Sequence, residues 1–173
     1  VGMQGIVLLV YVSALMFIGR HFAGPIVERI SSVGLLFVGC LAAGIGLYML
    51  SLATSPISAF VAATVWGAGI CFVWPTMLAI ASERFPKGGA LAMGLMGFAG
   101  GMAIQFVLPI MGGIFDDAKA EAAGGADKLA GLSPEAMTEV VRYASVESFQ
   151  SVAIVPLLLL PIFGAIWLYD RKR

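Results

Sequence analysis

Charge is what this sequence has least of. Of its 173 residues, 12% are Asp, Glu, Lys or Arg, about half the share found in ordinary globular domains. Histidine occurs once, at His21, and cysteine twice, at Cys40 and Cys71. Such sparse ligands, without metal-like spacing, argue against a metal centre. No nucleophile–base pair or spaced His/Asp set suggests an enzyme, and no cofactor or metal is expected. The opening stretch has neither a basic leader nor a small-residue cleavage site, so no signal peptide is expected. It begins with Val1 directly at an apolar run, which reads as a piece of a longer protein.

What the chain has instead is apolar length. Sixty per cent of the residues are hydrophobic and the mean hydropathy is +0.99. A single modest domain cannot enclose so much apolar surface in its own core, whereas a bilayer can cover it. No charge occurs in Val1–Gly19, Ser31–Ser82, Gly88–Phe115 or Ser148–Tyr169. The second run is too long for one crossing, and Thr54-Ser55-Pro56 marks a turn within it. Five spans result, at about 4–24, 33–53, 57–80, 89–114 and 149–169, each near the roughly 20 residues that cross the hydrocarbon layer. Backbone polar groups at that depth must bond within their own segment, so the spans are helices. The expected fold class is an all-α polytopic membrane protein.

The few charges sort by side. One set of loops holds residues 20–30, the 83–87 turn and the tail after Tyr169, with seven basic and three acidic residues. The other side is the 116–147 loop, with three basic and seven acidic residues. Basic residues in short loops stay cytoplasmic, which places the acidic loop outside and the C-terminus inside, in a plasma (inner) membrane. Within the acidic loop, Ser133-Pro134-Glu135 has the hydroxyl, proline and early carboxylate of a helix start. A helix from about 134 is expected to run toward the last span.

The cytoplasmic strip "GRHFAGPIVERIS" (19–31) carries a pattern, Arg20 and then Gly24-x-x-x-Glu28-Arg29. It resembles the signature loop of the major facilitator superfamily, where a glycine precedes an acidic–basic pair by four residues. That family usually has aspartate at the place of Glu28, and glycine and basic residues where this chain has Ser31-Ser32. "SERFPKGGALAMG" (82–94) resembles the same family's loop between its tenth and eleventh helices. "WGAGICFVWPTMLAIASERFP", followed by "GFAGGMAIQFVLPIMGGIFDD", resembles the fucose-permease-like sugar:proton symporters. The resemblance aligns the five spans with the eighth to twelfth helices, most of the C-terminal six-helix bundle, with the seventh helix and the N-terminal half missing. It implies a secondary transporter moving a small polar solute, a sugar among the candidates, coupled to a proton or other ion. Its partners would be the solute, the bilayer and the other half, with no nucleic acid. It further implies that Glu28 faces the helix start near Gly88. Arg20 and Arg29 would pair with Glu83, beside Arg84, in a cytoplasmic gate.

Polar and aromatic residues within the spans supply the substrate candidates. Gln105 is an amide deep in a span, where a bare polar group is costly and tends to face a cavity. Trp66 and Trp74 lie near one helical face and could stack on a sugar ring, and Tyr11 is a further candidate. Pro75 removes a backbone hydrogen bond, as interrupted transporter helices do, and Pro109 belongs to a Pro-x-x-Gly pattern. Gly97 and Gly101 form a Gly-x-x-x-Gly pair expected at a helix contact. No carboxylate falls within a span, so a proton carrier is expected in the missing segment. The alternatives are an integral membrane scaffold or receptor, or a membrane enzyme whose working part lies in the missing region.

Overall fold

The computed structural model describes the backbone of residues 2–171 and the side chains of residues 5–171. Every regular element among them is helical. Helix α1 (Gly2–His21) turns by 63° into the short α2 (Ala23–Ile30). Then come α3 (Ser32–Ser51), α4 (Pro56–Cys71), α5 (Val73–Arg84), α6 (Gly89–Ala123), a 3₁₀ turn (Ala126–Gly131) and α7 (Pro134–Asp170). Four stretches are long and apolar enough to cross a membrane: α3, α4 with α5, α6 and α7. The bent α1–α2 pair makes a fifth. The arrangement is consistent with a helical membrane protein.

The signature-like strip is thus itself a helix. In α2, Ala23, Ile26, Val27 and Ile30 are half-buried while Glu28 and Arg29 are exposed, the i, i+3, i+4 and i+7 spacing of one apolar stripe. Its neighbour is α3. Between them Ser31 is a non-glycine residue at φ 71°, ψ 158°, a region otherwise kept for glycine. The Ser31 hydroxyl gives something back by accepting from the Gly34 N–H at 3.2 Å.

Helix α3 is the centre of the assembly. It touches α2, α4, α5 and α7; α1 lies on α4, and α6 lies against α5 and α7. Small residues let the backbones meet, as helix association in lipid requires. A Cβ built on Gly39 would lie 2.7 Å from the Gly69 carbonyl oxygen, and one on Gly69 would lie 2.7 Å from that of Gly39. One on Gly46 would lie 2.7 Å from Trp66 Cβ, and one on Gly34 2.9 Å from Trp167 Nε1. Cys40 and Cys71 are free thiols buried in this packing.

The 116–147 segment is largely helical rather than an extended loop. Helix α6 runs without interruption past Asp116 to Ala123, where Gly124 closes it in the left-handed conformation at φ 73°. Ser133 then caps α7 by accepting from the Ala136 N–H at 3.3 Å. Ala118, Val140 and Ala144 are buried in a hairpin formed by the end of α6 and the start of α7. At 35 residues α6 is about 52 Å long, well beyond the roughly 30 Å hydrocarbon layer.

Candidate functional site

Three groups of candidate residues can be placed. The first is the charged strip around α2. Among the described residues the ion pairs are Arg84–Asp170, Lys119–Asp116 and Arg142–Glu139. The expected pairing of Arg20 and Arg29 with Glu83 is therefore not formed. Arg84, at the end of α5, bonds instead to Asp170 at the end of α7. The start of α6 has Gly88 as its cap and no side-chain hydrogen bond, so Glu28 does not close that helix. Gly24 has nothing within 4 Å of a Cβ position. The reason is geometric: the 63° bend lays α2 against α3.

The second group borders a half-open cavity between the helices. Trp66, Trp74, Cys40 and Ser151 line a space of about 610 Å³ that is otherwise apolar, between α3, α4, α5, α6 and α7. The two tryptophans meet there, but Gln105 is not among its walls. Trp66 also borders a smaller cavity of about 190 Å³ toward α1. Trp74 lies over Gly100, whose Cβ would come within 2.7 Å of the ring. Tyr11 is tied up elsewhere: its hydroxyl lies 2.7 Å from Thr64 Oγ1 and its ring sits edge-on to Phe60 at 5.1 Å. Thr64 already donates to the Phe60 carbonyl at 2.8 Å, which makes Tyr11 the donor to Thr64.

The third group is on α6. The cavity-lining residues Val107, Ile110, Met111 and Ile114 lie roughly 120° to 180° around the helix from Gln105, at about 100° per residue. Gln105 is exposed, as is every residue of α6 from Gly101 to Ile110, and it lies on the side turned away from those cavity walls. Gly94, Gly97, Gly101 and Gly112 fall on that side too, and a Cβ at any of them meets nothing within 4 Å. The Gly97–Gly101 pair, expected at a helix contact, has none within this chain. Pro109 lies inside α6 and has no N–H for the residue four before it, which is Gln105. One residue thus presents a side-chain amide and a backbone carbonyl lacking its helical donor.

Other functional partners escape sequence reasoning. Arg20 Nε donates to the Cys71 carbonyl at 3.3 Å, and the Gln150 amide reaches Ser51 Oγ at 3.5 Å. A signal for the first existed, since Pro75 stands four residues after Cys71; its donor, 51 residues upstream, had none. No family model, no curated protein and no solved structure matches this chain.

Proposed function

We propose that the chain forms most of one bundle of a secondary transporter of the major facilitator type, aligned with its eighth to twelfth helices, and moves a small polar solute by alternating access. The observation that carries this reading is Gln105. An amide facing hydrocarbon without partners is costly, and intramembrane polar groups face bundle interiors or watered cavities. The face that bears it is glycine-rich, and none of the chain's own helices covers it. A second helical bundle across a watered path would give that face a reason.

An amide offers two donors and an acceptor, and the Gln105 carbonyl adds another acceptor. That set suits vicinal hydroxyl groups, so a sugar-like solute is the class proposed. Trp66 is half-buried between α3 and α4, Trp74 is exposed but lies over Gly100, and Tyr11 is bonded to Thr64, so their roles fall to shaping the bundle and Gln105 becomes the leading contact. The coupling ion's carrier belongs to the other half. Charge asymmetry supports a cytoplasmic C-terminus in an inner membrane.

The test is uptake by the full-length protein with sugars, nucleosides and organic acids, comparing Gln105→Ala with wild type. Loss of about 1.4 kcal/mol of solute binding would weaken apparent affinity tenfold. Membrane abundance should hold, because an intramembrane hydrogen bond averages about 0.6 kcal/mol. Unchanged affinity would remove Gln105 from the site. No uptake of any solute would favour the scaffold or receptor reading.

A further inference from the structure

The continuous Pro56–Arg84 span is interrupted for one residue at Phe72, and the interruption has a specific chemical cause. In an unbroken helix the Cys71 carbonyl would accept from residue 75, but Pro75 has no N–H to give. Regular bonding resumes one residue later, where Thr76 N–H donates to the Phe72 carbonyl at 3.0 Å. The orphaned Cys71 oxygen is met by Arg20 Nε at 3.3 Å. Helices α1 and α4 run parallel, with Tyr11 beside Thr64 and Val12 and Leu15 against Gly67. This register brings the end of α1 to the break. Gly19 makes the approach possible, since its Cβ would lie 3.0 Å from Cys71 Sγ. The Cys71 thiol in turn donates to the Met16 carbonyl at 3.2 Å.

We propose that Arg20 is a detachable latch on a hinge at Phe72. While bonded, its guanidinium supplies the hydrogen bond that Pro75 withholds and ties α5 to the end of α1. Released, it leaves the Cys71 carbonyl unpaired and frees α5 to change its angle to α4. Release has a ready route, because Arg20 is exposed and its remaining N–H groups can turn to water or lipid phosphate. At its other end α5 is held by the exposed Arg84–Asp170 pair, so the latch governs the inner end. The inference holds whatever the protein transports.

Hydrogen exchange of the full-length protein in lipid nanodiscs tests it, with residues 72–84 as the reporter and 134–147 as the internal reference. Arg20→Met should speed exchange in 72–84 roughly five- to thirtyfold, the factor set by one or two kcal/mol, and leave the reference unchanged. Arg20→Lys, which keeps a charged donor, should restore part of the protection. Pro75→Ala returns an N–H to the Cys71 carbonyl, so Arg20→Met in that background should add nothing. Equal acceleration with and without Pro75, or none in either, overturns the latch. If Arg20→Met alone does not fold, recovery of folding in the Pro75→Ala background supports it, and failure in both overturns it.

Discussion

Helices α3 and α6 are both rich in glycine and, apart from Gly100 beneath the Trp74 ring, they use it in opposite ways. On α3, Gly39 and Gly46 are pressed against Gly69 and Trp66 so closely that no methyl group would fit. On α6, Gly94, Gly97, Gly101 and Gly112 face open space. The comparison separates two meanings of one signal. Glycine spacing permits a backbone to approach another; the partner's identity lies outside the spacing. For α3 the partners are α4 and α7. For α6 the glycines flank Gln105 on a surface that its own neighbours leave bare.

The largest expected effect sharpens this contrast. Gly69→Leu should destabilise by about 1–3 kcal/mol or more through overpacking, seen as a lowered midpoint of thermal unfolding in detergent or as loss of folded protein. Gly101→Leu should shift stability by no more than about 0.5 kcal/mol, as exposed substitutions do, yet abolish uptake if a second bundle abuts that face. Equal destabilisation by the two would erase the distinction between the helices.

A smaller effect tests whether α3 organises the whole. Ser31→Gly relieves a conformation costing about 1–3 kcal/mol in a non-glycine residue and loses only a few tenths from the cap. Thermal unfolding should show a net gain of about 1 kcal/mol; a loss would mean that the Ser31 hydroxyl matters more than the strain. The smallest effect is expected at the periphery, where Tyr11→Phe removes the bond to Thr64. A cost of about 0.6 kcal/mol, read in the same assay, would mark α1 as a minor contributor. A cost as large as that of Gly69→Leu would move the centre of the fold toward α1.

The spans were legible because hydrocarbon leaves the backbone a single solution, and charge-free runs mark where that solution applies. The same criterion missed the ends. It stops at Phe115 because Asp116 is charged, whereas α6 continues through an Ala-, Lys- and Glu-containing segment of good helix formers. It also missed α2, whose Glu28 and Arg29 look like a loop until their spacing against Ile26 and Ile30 is counted. Gln105 could be picked out by its chemistry; its bearing relative to the packed face required knowing which residues pack. The gate pairs were misplaced for a similar reason. The family resemblance suggested Glu83 as a partner for the basic strip, and Asp170, 86 residues beyond Arg84, gives no local hint.

Helices α6 and α7 carry prolines in their interiors, Pro109 in one and Pro156 and Pro161 in the other. Ile110 and Met111 share the walls of the 610 Å³ cavity with Val155 and Pro156, so the two weakened points stand at one depth. Proline is where long helices bend most readily, and here two adjacent rods have their elbows side by side. Each helix lacks a rung of its hydrogen-bond ladder where it borders that cavity, and the arms beyond are joined by the acidic hairpin.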